Sequence, residues 1–135
     1  MTRKLLLLLK IFLILSIIVF PKFNNANEIL LYADNISYDE DENIIAKGNA
    51  KIFQNNELIV SDIIIYERKN KKIIMPTNFT LKDEKNNYFN GTSGTFSQDL
   101  GYGEFENVKI RLNDGSRIIG VKGKRDGHID IISKG

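Results

Sequence analysis

Asn49-Ala-Lys-Ile52, Asn78-Phe-Thr-Leu81 and Asn107-Val-Lys-Ile110 follow one another along this 135-residue chain at a constant spacing of 29 residues. The similarity extends upstream, since Ala33-Asp-Asn-Ile-Ser-Tyr-Asp39 is matched 28 residues later by Ser61-Asp-Ile-Ile-Ile-Tyr-Glu67. A fixed period of this length indicates repeated supersecondary units that bury their apolar faces by stacking. The sequence therefore predicts a stack of equivalent units.

The residues after position 28 have the alternation of half-buried β-strands and no sustained helical period. Short runs rich in Ile, Val, Phe, Tyr and Thr are separated by turn residues. We predict an all-β domain with strands at Glu28 to Tyr38, Ile44 to Phe53, Leu58 to Arg68, Lys72 to Lys82, Asn87 to Phe96, Gly103 to Leu112 and Arg117 to Lys124.

The last predicted hairpin carries a turn signal at Asp114-Gly115, a dipeptide that favours a two-residue type I′ loop. This loop length sets Ile110 opposite Ile119 and Val108 opposite Val121. Opposite residues of a hairpin share one face of the sheet, so the pairing predicts an apolar interior face here.

The first hairpin is less determined, because Asn55 to Glu57 can form a three-residue loop that sets Ile52 opposite Val60. A two-residue loop would instead set Ile52 opposite Ile59. The predicted register is the first of these, and its parity carries Ile64 and Tyr66 to the same face.

Repeated hairpins with apolar faces on one side must cover those faces, and without a helix they do so by forming two facing sheets or a coil. We therefore predict a β-jelly roll or β-solenoid, a two-sheet stack of repeated hairpins. Its interior is either an ordinary core or, if the sheets splay, a groove that admits acyl chains. The candidate groove lining is Ile36, Tyr38, Ala50, Ile52, Val60, Ile64, Tyr66, Phe79, Leu81, Val108, Ile110, Ile119 and Val121.

The N-terminus has the pattern of an export signal, with basic residues, an apolar run from Ile11 to Phe20 and then Pro21. We predict a signal peptide at residues 1 to 26, with an uncleaved anchor as the alternative, a domain at 27 to 126 and a tail or linker at 127 to 135. Without residues 1 to 26, the 19 basic residues fall to 15 against 17 acidic ones. This negative balance argues against nucleic acid as a partner.

No catalytic, metal or cofactor site is predicted from the residues. The chain has no cysteine and a single histidine, His128, which excludes thiol chemistry and a Ser-His-Asp triad. Asp39 to Asn43 begins like a calcium loop but lacks the glycine at its sixth position, so we predict an acidic hairpin turn. Asp34 and Asp62 occupy one repeat position, where a structural role is expected.

The Asn49, Asn78 and Asn107 series is predicted to occupy a stacked turn or bulge position, since Asn side chains readily bond the backbone locally. Such a role requires no ligand. The repeat asparagines are therefore interpreted as features of the fold.

The motifs Ala33-Asp-Asn-Ile-Ser-Tyr-Asp39, Ile45-Ala-Lys-Gly-Asn-Ala-Lys-Ile52 and Ser61-Asp-Ile-Ile-Ile-Tyr66 resemble a known repeat. It is the repeat of the OstA-like lipopolysaccharide-transport domains of LptA, LptC and the N-terminus of LptD. The segment from Asn107 to Arg125 looks most like the end of the periplasmic domain of LptD. The resemblance covers residues 28 to about 126.

This resemblance implies a taco-shaped jelly roll through which lipopolysaccharide slides, with acyl chains inside and sugars outside, and no enzymatic activity. It implies edge-strand pairing with neighbouring jelly-roll domains in the periplasm or at the outer membrane of a Gram-negative bacterium. For LptD, the partners would include an outer-membrane barrel and its plug lipoprotein. An LptA-like bridge, an LptC-like anchored relay and a docking module without a lipid groove are the alternatives. The absence of a barrel segment and of cysteines departs from LptD.

Overall fold

A computed structural model describes residues 28–127 and 129–133 of the chain. The predicted signal segment and His128 lie outside these described residues. The described part contains no helix that is both long and apolar enough to cross a membrane.

The described residues form eleven β-strands, which confirms the all-β prediction. Their bounds are β1 Leu30–Tyr32, β2 Asn35–Tyr38, β3 Ile44–Gln54, β4 Glu57–Glu67, β5 Lys72–Met75, β6 Phe79–Lys82, β7 Tyr88–Gly91, β8 Ser93–Ser97, β9 Tyr102–Arg111, β10 Arg117–Asp126 and β11 Ile129–Ser133. All pairings are antiparallel, as a stack of hairpins requires.

The pairings divide this β-structure into two sheets that share four long strands. Sheet I runs β2, β3 (44–47), β4 (63–67), β5, β8, β9 (102–106), β10 (122–126) and β11. Sheet II runs β1, β3 (50–54), β4 (57–61), β6, β7, β9 (108–111) and β10 (117–120). The chain therefore bends from one sheet to the other once in every strand pass, and the predicted two-sheet stack is confirmed.

The bend coincides with the repeat asparagines. Asn49 and Asn107 have left-handed φ angles of 47° and 51°, which Asn tolerates better than most residues. The β3–β4 register shifts between Lys47 and Ala50, so β3 carries a bulge there. Asn49 thus occupies the predicted bulge position, whereas β9 keeps its register past Asn107, which has the left-handed φ without a bulge. Asn78 instead precedes β6, and its carbonyl accepts a bond from Ser61 Oγ at 2.8 Å.

Three of the seven predicted strands are split at the same bend. The predicted strand Lys72 to Lys82 becomes β5 and β6 because Pro76 cannot donate to a ladder. Glu28 to Tyr38 becomes β1 and β2, and Asn87 to Phe96 becomes β7 and β8. The sequence pattern located these three strands correctly, but each of them is interrupted at the bend and forms two shorter strands.

The predicted register of the first hairpin is wrong. Asn55 and Asn56 form a two-residue loop with positive φ at both positions, 50° and 61°, which is the type I′ pattern. Ile52 is therefore opposite Ile59. Val60 is opposite Lys51 and moves to the outer face.

The predicted register of the last hairpin is also wrong, in the opposite sense. The amide of Leu112 donates to the carbonyl of Ser116 at 2.8 Å, which leaves a three-residue loop at 113–115. Asn113 is held outside the ladder because its amide donates to Asn87 Oδ1 at 2.9 Å and its side chain donates to the Lys85 carbonyl at 3.2 Å. The extra loop residue shifts β10 by one position.

The core lies between the two sheets and is centred on three aromatic rings. Phe79 of sheet II meets Phe96 and Phe105 of sheet I edge to face, at centroid distances of 5.8 and 6.2 Å. Phe96 and Phe105 stack at 5.6 Å. Gly123 makes room for this cluster, since a Cβ there would lie 2.2 Å from the Phe105 ring. Each ring pair contributes about 0.5–1.5 kcal/mol beyond its area burial.

The sheets end in open edges. At one end, β1 and β2 pair only with β3 within the described residues. At the other end, β11 extends sheet I beyond β10, whereas residues 117–120 of β10 form the edge of sheet II. Residues 129–133, which the sequence had assigned to a tail, are therefore a strand of the domain.

Candidate functional site

The space between the two sheets is the candidate site, and most of the predicted lining faces it. Seven of these residues are buried there: Ala50, Ile52, Ile64, Phe79, Leu81, Val108 and Ile110. Tyr66 is partly buried against them. Their inward direction follows from pairing, because buried partners such as Ile52 and Ile59 lie directly opposite each other.

Two predicted lining residues lie on the inner side but at the open edge. Ile36 is opposite buried Ala46, and Tyr38 is opposite Ile44, so both side chains face the interior side of sheet I. They are 46% and 67% exposed because β2 has no further strand beside it within the described residues.

Three predicted lining residues lie on the outer face, as the two register corrections require. Val60 is opposite Lys51, and Ile119 is opposite exposed Lys109. Val121 lies at the bend, across from Asn107, and is 46% exposed. We therefore exclude Val60, Ile119 and Val121 from the proposed lining.

The interior has a packed part and an open part. Around Phe79, Phe96 and Phe105 the rings fill the space between the sheets. Near the open end of the strands a cavity of about 670 Å³ remains, which we call the mouth cavity. Its apolar wall consists of Phe89, Ile110, Leu112, Ile118 and Ile132. This volume lies in the range of sites that hold small molecules.

A buried ionic network closes one side of the mouth cavity. Arg125 Nη1 donates to Glu57 Oε2 at 2.8 Å and to the Leu100 carbonyl at 3.1 Å. Arg125 Nε donates to Asp130 Oδ1 at 2.9 Å. The network joins sheet II, through Glu57, to sheet I, through Arg125, and so fixes the separation of the sheets on that side.

The charge of Arg125 is retained despite burial. Loss of solvation disfavours the guanidinium, but its hydrogen bond to Asp130 and the attraction of Glu57 and Asp130 outweigh it and raise the pKa of Arg125. A neighbouring amide oxygen, Gln54 Oε1, is buried without a hydrogen-bond partner among the described residues. The side of the mouth cavity that the Arg125 network closes therefore contains buried polar and charged groups.

The inference from sequence missed five residues of the mouth: Phe89, Leu112, Ile118, Arg125 and Ile132. Ile118 was missed because of the hairpin register, and Ile132 because its segment was assigned to a tail. Arg125 had one available signal. It follows Gly123 by two residues in a strand of period two, which places a charge on the interior face.

A second concavity, the amide cleft, lies on the outer surface along the bend. It measures about 470 Å³ and is lined by Asn49, Val60, Ser61, Asp62, Asn78, Phe79, Thr80, Asn90, Gly91, Thr92, Asn107 and Lys109. Asn49 Nδ2 donates to Asp34 Oδ2 at 3.0 Å, and Asn107 Nδ2 donates to Thr92 Oγ1 at 3.1 Å. Asn49 and Asn107 thus bond side chains at the bends between β1 and β2 and between β7 and β8, and not the backbone as predicted.

The acidic segments of the described chain do not form a metal site. No group of three or more His, Cys, Asp or Glu side chains within residues 28–127 and 129–133 is arranged to hold an ion. Asp39 Oδ1 instead accepts the backbone amides of Asp41 and Asn43, both at 2.9 Å. The predicted acidic hairpin turn is confirmed.

Comparison with known proteins identifies the fold. No protein-family model matches the chain, and no curated protein matches its sequence. A similar solved structure is LptH, the LptA homologous periplasmic component of the conserved lipopolysaccharide transport device from Pseudomonas aeruginosa. Its TM-score is 0.67 at 11% identity, and the match covers 81% of this chain and 84% of that one. The chain therefore has the LptA-like jelly-roll fold.

Proposed function

We propose that this protein is a non-enzymatic carrier of lipopolysaccharide in the periplasm, which holds acyl chains between its two sheets. The observation that carries the proposal is the mouth cavity between the rims of an LptA-like jelly roll, which has an apolar wall and a polar, partly charged rim. Each methylene group removed from water there contributes about 0.8 kcal/mol. About ten buried methylenes would therefore supply the roughly 8 kcal/mol of micromolar affinity, and more are needed to offset the entropy lost on association.

The proposed lining combines the predicted residues that face inward with those of the mouth. Acyl chains enter beside Leu112 and Ile118 and approach Ile110, which is 4% exposed. Deeper entry towards Phe79 requires the aromatic cluster to separate. Arg125 and Glu57 join the two sheets on one side of the mouth, so entry is proposed on the side lined by Leu112 and Ile118.

Site-specific photo-crosslinking during lipopolysaccharide transport tests the proposal. A crosslinker at Leu112 should label lipopolysaccharide, and one at Ile52 or Phe79 should label it only if the sheets separate. Lys51 is the matched control because it lies on the outer face of the same sheet. Equal labelling at Leu112 and Lys51 would contradict transport through the interior.

We propose neighbouring jelly-roll domains as protein partners, held by edge-strand pairing. The support is that both ends of the stack expose unpaired strands bearing apolar side chains, including Tyr38 at one end and Ile131 at the other, 67% and 55% exposed. Placing lysine at Ile36 or Ile131 should reduce association with a purified LptA-like domain in light scattering. Unchanged association would exclude these edges.

The finer assignment to the N-terminal domain of LptD is also a proposal, supported by the segment from Asn107 to Arg125. It would add an outer-membrane barrel and its plug lipoprotein as partners and place the domain at the outer membrane. An LptA-like bridge or an LptC-like relay shares the same domain. Sequencing the locus beyond the codon for Gly135 separates them, because only LptD continues into barrel strands.

A docking module without lipid is the second candidate function. The packed Phe79, Phe96 and Phe105 cluster favours it, since this part of the interior has no space for a chain. Such a module would still pair by its edges. It predicts no labelling at Leu112 with association intact.

A further inference from the structure

The outer face of sheet II carries a continuous row of basic and aromatic side chains. Lys82 of β6 is directly opposite Tyr88 of β7, Tyr88 is opposite Arg111 of β9, and Arg111 is opposite Arg117 of β10. Lys109 lies two residues before Arg111 on the same face and is exposed. We call these five residues the basic surface.

No side chain of the basic surface takes part in the two salt bridges found among the described residues, which both belong to Arg125. Like charges directly opposite each other, such as Arg111 and Arg117, destabilise a sheet. An anion placed between them would remove that repulsion.

Tyr88 orients the cations for a specific shape of anion. The Arg111 guanidinium lies 4.6 Å from the centroid of the Tyr88 ring, and Lys82 Nζ lies 5.8 Å from it. Stacking on a ring face holds the guanidinium plane and leaves its edge free to donate. A planar pair of N–H donors matches two oxygens of a phosphate group.

The basic surface is concave and continues into the amide cleft. A hollow of about 520 Å³ lies over Tyr88, Lys109, Arg111 and Arg117. Thr80, Asn90 and Lys109 line both this hollow and the amide cleft. Amide and hydroxyl groups can both donate and accept hydrogen bonds, as sugar hydroxyls require. The combined surface fits a phosphate attached to a saccharide better than a free anion.

The hollow also adjoins the mouth cavity. Ile110 and Ile118 line both concavities, at the edge of sheet II where residues 117–120 have no outer neighbour among the described strands. A lipid with its acyl chain in the mouth could therefore pass its headgroup over this edge. We infer that the basic surface binds the phosphorylated sugar headgroup of the carried lipid, an inference that rests on the proposed function.

Lipopolysaccharide stripped of its acyl chains isolates this contact, because it keeps the sugars and phosphates but cannot occupy the mouth cavity. Titration into the full chain, followed by isothermal calorimetry and amide chemical shifts, should give shifts centred on Lys109, Arg111 and Arg117. The same material after enzymatic dephosphorylation should bind at least about tenfold more weakly, because each charge-assisted contact is worth roughly 1.5–3 kcal/mol, about one to two factors of ten.

The double variant Arg111→Ala and Arg117→Ala should lose affinity for deacylated lipopolysaccharide by about tenfold or more. Lys122→Ala with Lys124→Ala is the matched control, because it removes two lysines of β10 that lie opposite Glu106 and Glu104. The control should bind like the unsubstituted chain. Circular dichroism and thermal unfolding of both variants establish that they fold, as expected for exposed side chains.

Three results would overturn the inference. Equal loss in the two double variants would indicate general electrostatic attraction. Equally tight binding of inorganic phosphate would indicate a free-anion site, and equally tight binding of a single-stranded oligonucleotide would indicate a polyanion surface. Headgroup binding without crosslinking at Leu112 would leave this site intact and refute transport through the interior, so the two proposals fail separately.

Discussion

The two halves of the β9–β10 hairpin differ in how their outer charges are arranged. In sheet I, Glu104 lies opposite Lys124 and Glu106 lies opposite Lys122, so each acid faces a base. In sheet II, a few residues along the same strands, Arg111 lies opposite Arg117. Opposite charges in register stabilise a strand pair, and like charges destabilise it. One half of the hairpin is arranged for stability, and the other retains a repulsion that binding can relieve.

A third arrangement occurs inside the domain. Arg125 belongs to the sheet I half of β10 but points inward, where Glu57 and Asp130 neutralise it. Its side chain is only 4% exposed. Exposed charges on this hairpin can therefore be left uncompensated, whereas the buried one cannot, because loss of solvation makes an isolated buried charge very costly.

Breaking the buried arrangement should have the largest effect. Glu57→Ala leaves Arg125 with less compensation and should lower the free energy of unfolding by about 3 kcal/mol. Urea unfolding of the full chain measures the change. Glu40→Ala, in an exposed turn, is the control and should stay within about 0.5 kcal/mol of the unsubstituted protein. A loss below 1 kcal/mol for Glu57→Ala would mean that the network is dispensable.

Charge reversal in the two halves of β10 should have opposite effects. Arg117→Glu creates an opposite pair with Arg111 and should raise the free energy of unfolding by about 0.2–1 kcal/mol. Lys122→Glu creates a like pair with Glu106 and should lower it by a similar amount. Chemical denaturation of both variants tests the contrast directly, and a shift of the same sign in both would refute it.

Ionic strength should reduce the difference between the two halves. Raising salt from about 0.01 to 1 M shortens the screening length from about 30 to 3 Å. The stability gained by Arg117→Glu should therefore shrink towards zero, while the loss from Glu57→Ala, inside the protein, should persist. Thermal unfolding at both salt concentrations measures this. A gain for Arg117→Glu that is independent of salt would have a cause other than charge.

The smallest effect concerns Asp39, whose carboxylate is compensated by backbone amides. The Asn43 amide, bonded to Asp39 Oδ1 at 2.9 Å, lowers the pKa of this carboxyl below its ordinary value of 3.8. Its stabilising effect is therefore complete above pH 3.8 and lost as pH falls through the lowered pKa. Amide protection at Asn43 should fall over that acidic range and persist above it. Protection that is unchanged down to pH 2 would exclude the contribution.

The repeat spacing was enough to predict the architecture. It placed strands correctly on both sides of Asn49 and Asn107 because the bend there requires a residue that tolerates left-handed φ. The same spacing could not determine strand continuity at Asn78, where Pro76 interrupts the ladder. The strand continues through the repeat position at Asn49 and Asn107, as the repeat predicts, but it is interrupted before Asn78 because Pro76 lacks the backbone N–H.

The two register errors have different origins. At the last hairpin, Asp114-Gly115 favours a two-residue turn locally, but Asn113 is held by Asn87 and Lys85 of a distant hairpin, a contact that turn propensity does not capture. At the first hairpin the local preference prevails, because Asn55 and Asn56 form the type I′ loop that Asn favours, and the predicted three-residue loop was the wrong one of two alternatives. A one-residue slip then exchanges the two faces, which is why Ile119 and Val60 were placed inside.

The site was predictable only where the repeat motif reaches it. Ile52 and Ile110 hold equivalent motif positions, and both are buried as expected. The mouth lies at the strand ends, outside the motif, and its wall includes Ile132 from β11. The basic surface also escaped notice, because its members are far apart in sequence and meet only through the order of β6, β7, β9 and β10.

Four continuous strands, β3, β4, β9 and β10, pass from one sheet to the other, so the bend in these strands can act as a hinge between the sheets. Because the same strands continue through both sheets, small changes of the backbone torsion angles at the bend would move the sheets apart while the hydrogen-bonded ladders on either side stay intact. Asn49 and Asn107 lie at this bend. We therefore expect the ease with which the two sheets separate to depend on the backbone at this bend.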